Sequence, residues 1–411
     1  MLDASSFSQE ENKVRRSSSK IDCRKAPGSD YEHTLSTVWN ISFEKLADTS
    51  ACLLNLLSFF DPDAISEEIL LRGSVDTQDE FSFLSDEMDF GDATEDLLRA
   101  ALVNRTSNLA ILLIHRLVQS AAQKRLTELE ITKYFDAAVH LLCWGYPDHS
   151  KTDIGHQITA WERREKANTH INHLVQLTKV NGKKPGNQQK YADLLLRCGW
   201  YLYERELYLI AKLMVEQAIS IFEDKMSLEH ASAIDLGCLI DLDLAHPEVA
   251  IESFKQALKI HKATLGPEDP FIAYSLNNVA LAYTEMGGLD LAYAAHEEAI
   301  RLRLKANSDR IGNSYSNMSS LLLRMNRPDE AEEMLARYET FLKTGNPRFS
   351  GDMVLLSRIR LAQGRSSDAI RIASKALTFR RNLLGNRLKT CDSQYDVAAI
   401  LLKQGHVSSA I

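Results

Sequence analysis

An alanine that returns about every forty residues constrains this chain more than any other feature. Ala211, Ala250, Ala292, Ala331, Ala369 and Ala410 stand 39, 42, 39, 38 and 41 residues apart. Twelve residues before each stands Gly199, Cys238, Ala280, Ser319, Ser357 or Ala398, all small. Seven residues after the first five come Ala218, Ala257, Ala299, Tyr338 and Ala376, with only Tyr338 large. Around the third alanine, Ala273 to Ala299 reads as two amphipathic helices separated by Gly287-Gly288. Leu276, Ala280 and Tyr283 mark the first helix, and Ala292, His296 and Ala299 the second. Small side chains at Ala280 and Ala292 let the two helices approach closely, while Leu276 and Tyr283 fill the space around them. A unit of this kind buries its apolar face only against its neighbours, so the pattern predicts a stacked array.

The pattern resembles the tetratricopeptide repeat, a helix–turn–helix unit that stacks into a solenoid. Intervals longer than that repeat's norm of about 34 residues imply longer helices, as in kinesin light chains and in fungal or bacterial receptor-like ATPases. The resemblance covers roughly Gln188 to Ile411 and implies a right-handed α-solenoid of about six units. The sixth is expected to be incomplete, because the chain stops at Ala410-Ile411, where its second helix should begin.

Composition agrees with a mainly α chain. Of 411 residues 45% are apolar, enough for a sizeable core, and only nine are Pro and eighteen Gly. The net charge of −8 opposes association with nucleic acid or an anionic membrane surface. The six cysteines, Cys23, Cys52, Cys143, Cys198, Cys238 and Cys391, form no close pair or cluster. They read as reduced thiols, and no metal or other cofactor is expected. With no apolar leader and no 18-residue apolar run, the expectation is a soluble, cytoplasmic protein.

Residues 1–33 are polar and expected to be disordered; Arg15-Arg16-Ser17-Ser18-Ser19 resembles a basophilic kinase substrate, or is a solvated tail. From Thr34 a helical period begins, with Leu35, Val38, Trp39, Phe43 and Leu46 on one face. Helices are predicted over Ser50–Phe60, capped by Asp48 or Thr49, and after a cap at Ser66, ending before Gly73. Asp76 to Asp96 holds nine acidic residues and no basic one, so residues 74–96 are predicted to form a loop-like insert. A helix over Glu95–Val103, a polar turn over Asn104–Asn108 and an apolar run over Leu109–Ile114 then suggest the last helix and hairpin of a winged-helix unit. One long helical stretch is expected from His115 to Leu142. The predicted units are thus a winged-helix-like domain over 34–120, a helical connector over 121–187 and the solenoid over 188–411.

Several motifs carry a second resemblance. Trp39-Asn40-Ile41-Ser42-Phe43-Glu44-Lys45-Leu46, Leu53-Leu54 and Phe59-Phe60-Asp61-Pro62-Asp63-Ala64-Ile65 resemble the segment after the NB-ARC module in fungal STAND-type ATPases. His115-Arg116-Leu117-Val118-Gln119 is similar to that family's HRLVQ signature, and Trp161 with His170 fits its W-x8-H pattern. The resemblance covers about residues 34–180, and the repeats follow in the family's usual order. It implies the sensor or regulatory arm of an NB-ARC/TPR signalling protein. No GxxxxGK[ST] phosphate loop occurs, however, and a polar tail stands where the ATPase module is expected. A fragment or truncated gene model is therefore expected over a natural short form.

No catalytic constellation is visible, and the chain is not expected to be an enzyme. His156, His170 and His173 lack a Cys or carboxylate at a ligand spacing. His115 begins a helix, where packing or hydrogen bonding explains it without base chemistry. Ser66 to Arg72, the candidate recognition helix, is acidic and would repel phosphates. The array offers the candidate site. Asn278 and Asn317 occupy the same place, fourteen residues before the alanine, on the first helices of adjacent repeats. First helices of such solenoids line the concave groove, and an amide can both donate to and accept from an extended peptide backbone. Leu276-Asn277-Asn278 is similar to an LNN run of kinesin light chains. Tyr274, Leu281 and Ser320 would shape pockets nearby; a solvated or locally bonded Asn is the alternative. The expected function is a protein–protein interaction scaffold with a protein or peptide ligand in the concave groove. Nucleic acid and membrane are not expected, and the open C-terminal repeat leaves room for self-association. A free-standing adaptor of the kinesin-light-chain type is the second reading; it needs a heptad region, which residues 1–180 do not show. Residues from Leu388 onward are expected to be the least protected of the array.

Overall fold

The computed structural model describes residues 39, 41–77, 79–106, 110–146, 160–182, 185–308, 310–339 and 348–406. The polar tail with Arg15–Ser19, the face positions Leu35 and Val38, His156 and the chain end at Ala410-Ile411 lie outside them.

The first unit runs α1 (Asp48–Leu57), β1 (Ile65–Ser66), α2 (Glu67–Gly73), a 3-10 turn (Asp79–Ser85), α3 (Glu87–Arg99), β2 (Val103–Thr106) and β3 (Ile111–Ile114). Its antiparallel sheet has the order β1–β3–β2, with Ile65 opposite Leu112 and Val103 opposite Ile114. Leu53, Leu56, Phe59, Phe60, Ile69, Leu97 and Leu112 are fully buried beneath it.

The acidic stretch is not a loop. It forms the 3-10 turn and then α3, whose N-terminus is capped by Asp86, accepting from the Met88 and Asp89 amides at 2.8 and 3.1 Å. Phe81, Phe83 and Leu84 from the turn, and Phe90, Ala93 and Leu97 at helical spacing from α3, are buried. Carboxylates in a first turn favour the helix dipole, so charge did not argue against a helix here. The expected helix over Glu95–Val103 is only the end of α3, which stops at Arg99, and β2 starts at Val103 and runs into the expected polar turn.

The long helix expected after His115 is two: α4 (Arg116–Arg125) and α5 (Glu128–Cys143). Thr127 breaks it, forming a capping box with Glu130, a reciprocal pair that starts a helix. The connector helix α6 (Trp161–Asn181) is fastened at two buried points. His170 accepts the Asp61 amide on Nδ1 at 3.0 Å and donates from Nε2 to the Ala64 carbonyl at 3.1 Å. Burial keeps this imidazole neutral, lowering its pKa to about 4. Nearer the array, Glu204 accepts from Trp161 Nε1 at 2.9 Å and from Arg164 at 3.2 Å, with Arg164 fully buried.

The array follows as first and second helices in alternation: α7 (Gln188–Glu204), α8 (Tyr208–Ile221), α9 (Leu228–Asp243), α10 (Pro247–Leu265), α11 (Ile272–Glu285), α12 (Leu289–Lys305), α13 (Ile311–Arg324), α14 (Pro328–Glu339), α15 (Arg348–Ala362), α16 (Ser366–Leu384) and α17 (Leu388–Lys403). Ala211, Ala250, Ala292, Ala331 and Ala369 are completely buried. Ala280 and Ala292 share one core cluster, as their sizes require. Where the first-helix partner is Ser, its hydroxyl uses the close approach: Ser319 donates to the Ala331 carbonyl at 2.6 Å and Ser357 to the Ala369 carbonyl at 2.9 Å. At Gly199 the space is tighter, and an added Cβ would lie 2.7 Å from Val215 Cγ2.

The turn inside each unit repeats with the same phase. Five residues before each alanine, the backbone is left-handed at Glu206, Ala245, Gly287, Asn326, Gly364 and Gly405, with φ between 59° and 83°. This is the αL stop that ends a helix and admits the next. Units are also joined to one another at a recurring position. His261 Nδ1 lies 2.7 Å from Ser275 Oγ, Arg303 donates to Ser314 Oγ at 2.9 Å, and Arg380 donates to Ser393 Oγ at 3.0 Å. Each of these links the end of a second helix to the start of the next first helix.

Candidate functional site

Each first helix touches the next first helix, α7 through α17, in addition to its own second helix. Successive second helices are not in comparable contact. First helices therefore occupy the shorter, inner arc of the array, and their side chains form its concave wall.

The expected groove residues lie on two neighbouring inner helices. Tyr274, Asn278 and Leu281 are on α11, and Asn317 and Ser320 on α13. Tyr274, Leu281, Asn317 and Ser320 are half-buried, with the Tyr274 hydroxyl itself enclosed. Asn278 differs: it is only 4% exposed, so the expectation of an exposed amide is corrected. Its amide faces the Asp235 carboxyl and the Tyr274 hydroxyl, without ordinary hydrogen-bond geometry to either. Packing of α11 against α9 covers this position, whereas Asn317 on α13 stays half-buried.

A buried polar cluster lies behind this wall. Asp235 is completely enclosed, and burial pushes its carboxyl up to about 8, against a smaller opposing effect of Asn278. His261, 3.7 Å away, is enclosed too, and burial lowers it to about 4. Both groups are thus neutral at pH 7, a neighbouring acid and base that do not form an ion pair. Asn277 accepts from His296 Nδ1 at 2.8 Å and donates to Ser314 Oγ at 2.9 Å, joining the third unit to the fourth. Ser316 donates to Asp352 at 2.6 Å, and Arg358 pairs with Asp396 at 3.0 Å, continuing the polar links toward the C-terminus. Asp235, Asn277 and Ser316 stand at one repeat position, fifteen residues before successive alanines. That recurrence is the signal that could have found them from sequence.

Other sequence candidates fall into structural roles. His115 caps α4, its Nδ1 accepting the Leu117 amide at 3.2 Å. Both ring nitrogens of His170 are engaged with backbone. Among the described residues no group of three His, Cys, Asp or Glu side chains could hold a metal ion, and no helix is long and apolar enough to cross a membrane. Cys52, Cys143, Cys198, Cys238 and Cys391 are free thiols.

Residues 246–305 and 271–344 match the tetratricopeptide repeat model, and residues 41–131 match a domain of unknown function, DUF7779. The central repeats of this chain are therefore tetratricopeptide repeats. No curated protein matches the chain. Among solved structures, a Rap protein complexed with competence and sporulation factor is 15% identical, covering 93% of this chain and 90% of its own, with a TM-score of 0.47. A STAND protein with a tetratricopeptide repeat sensor from Pyrococcus horikoshii is 13% identical, covering 95% of this chain and 64% of its own, with a TM-score of 0.40. A thermophilic tetratricopeptide repeat protein of Thermus thermophilus is 20% identical, covering 51% of this chain and 99% of its own, with a TM-score of 0.40. At these identities and TM-scores the likeness carries no function.

Proposed function

We propose that this chain is a protein-interaction scaffold whose concave wall receives an extended segment of a partner protein. The observation that carries the reading is the inner arc itself. Half-buried Tyr274, Leu281, Asn317 and Ser320 lie on adjacent first helices, combining apolar surface with donors and acceptors. An extended peptide presents the same mixture, with backbone amides and carbonyls between its side chains. Asn317 is the residue proposed to hold the peptide backbone; Asn278 acts one layer behind, supporting Tyr274. Binding in this reading involves no bond chemistry.

The helix–strand–helix–helix–strand–strand order of the first unit supports a winged-helix-like domain. Its recognition-helix equivalent, α2, carries Glu67 and Glu68, which favours protein packing over DNA. Together with the sequence motifs, this supports the regulatory arm of an NB-ARC/TPR signalling protein, in which ligand binding would bias assembly of an ATPase module. A free-standing adaptor is the second reading. The test is selection of displayed peptides on the purified chain, followed by titration against an Asn317→Arg/Ser320→Arg variant. We expect selected peptides to lose at least about tenfold in affinity, roughly 1.4 kcal/mol. Equal affinity for both proteins would move the binding surface elsewhere.

A further inference from the structure

The two ends of the array meet. The amide of Lys389, in the first turn of α17, donates to Glu206 Oε2 at 3.1 Å across 183 residues of sequence. The Lys389 ammonium lies 5.9 Å from the ring centre of Tyr203. It also adjoins Asp243 at the end of α9, where its charge and the hydroxyls of Tyr203 and Tyr208 oppose the upward push of burial on that carboxyl. Leu383 and Leu384, at the end of α16, pack against the core that contains Tyr208. One residue of the sixth unit thus engages Tyr203, Glu206 and Asp243 of the first two.

Glu206 is the unusual member of this set. It holds the left-handed turn position that Gly287, Gly364 and Gly405 hold in other units, with φ 59°. L-residues other than Gly and Asn adopt that conformation reluctantly. Its carboxylate is nevertheless buried and directed at a helix N-terminus, where unpaired amides and the helix dipole favour an anion. Contacts elsewhere in the array run the full length of paired helices. This junction rests on the Lys389 amide and ammonium, Leu383 and Leu384, with the charges of Arg380 and Asp392 close by, and is smaller than the packing of paired helices, so it can part while every unit stays folded.

We infer that α17 is a clasp: Lys389 on Glu206, Tyr203 and Asp243 closes the concave wall into a ring, and its release opens the wall. A closed ring restricts how an extended ligand enters, so the clasp sets access to the groove. That consequence rests on the binding reading above, whereas the closure does not and is tested without any ligand.

Small-angle scattering of the full chain compares wild type with a Glu206→Gly/Lys389→Ala double variant. Glycine suits the left-handed turn, so the first unit keeps its geometry while the acceptor is lost. The expected result is a radius of gyration larger by roughly a tenth or more, with unchanged helix content. Superimposable curves would overturn the proposal, whether both proteins are closed without the clasp or both are open with it. Should the double variant lose helix content, Glu206→Gly alone carries the test, since it removes the acceptor of the Lys389 amide at a turn that suits glycine. The same expansion is expected, and the same absence of change is fatal. If no peptide is ever selected on the groove, the scattering result still stands.

Discussion

Ala280 and Ala292 set the separation of α11 and α12 by ending at Cβ. Ala292→Leu would put three more carbons into a fully buried crossing and should cost about 1–3 kcal/mol, read as a lowered melting temperature. An unchanged melt would mean that the crossing has slack the structure does not show. Asn278 calls for the opposite revision. As an exposed groove residue its replacement by Ala would hardly affect folding. Enclosed beside Asp235 and Tyr274, Asn278→Ala should cost on the order of 1–3 kcal/mol of stability, which denaturant titration measures. Loss of peptide binding in that variant would therefore need to be separated from loss of fold. Asn317→Ala, at a half-buried site, should leave stability within about 0.5 kcal/mol.

Elements are joined here by a few buried polar ties. Glu204 on α7 holds both Trp161 and Arg164 of α6, and Arg164 has no exposure to water. Glu204→Ala would leave a buried guanidinium without this partner, at a cost of about 3–5 kcal/mol. Chemical denaturation should then show the connector uncoupling from the array; a loss below about 1 kcal/mol would show the charge to be satisfied without Glu204. The acidic segment teaches a related lesson about elements. Nine carboxylates looked like solvated loop, yet Phe90, Ala93 and Leu97 at helical spacing, together with Asp86 as cap, make α3. The apolar positions and the cap decided the element, and the charges occupied its outer face.

At the scale of the molecule, three buried histidines link stability to pH. His170, His261 and His296 are each lowered by burial to about 4, whereas an unfolded histidine titrates near 6.5. Between those values the unfolded chain binds more protons, so stability falls as pH drops from about 6.5 to 4, by up to a few kcal/mol per histidine. Asp235 works in the opposite direction: its carboxyl, raised to about 8, favours the folded state more at low pH and less as pH rises. Burial lowers His230 too and raises Asp136 and Asp243, so four histidines stand against three carboxyls, and net destabilisation on acidification is expected. Thermal melts from pH 7.5 to 4.5 check this, and His261→Gln should flatten the slope. The clasp also changes the expectation for the array's end. The first turn of α17, held by Glu206, should exchange its amides more slowly than the later residues Val397 to Lys403, whose outer face includes exposed Leu402. Uniformly fast exchange from Leu388 onward would restore the picture of an unsupported terminal helix.

The repeated alanines and their small partners are by themselves enough to determine the solenoid. Their period is longer than any single helix, and only stacked units bury such a pattern. The start of α2 at Ser66 and the small-residue crossings were legible for the same reason, being local, although the Ser66 side chain makes no capping bond and the N-cap of α1 is Ala47, ahead of the expected Asp48 or Thr49 cap. What only the tertiary structure decided are relations between residues far apart in sequence. Burial of Asn278 depends on how closely α9 packs on α11. The neutral Asp235 and His261 owe their state to enclosure by three helices. The meeting of Lys389 with Glu206 depends on the curvature summed over five units, each adding a small rotation that no single repeat records. Local spacing encodes the unit; the geometry of stacking decides which of its polar residues face solvent, a neighbour or the other end of the chain.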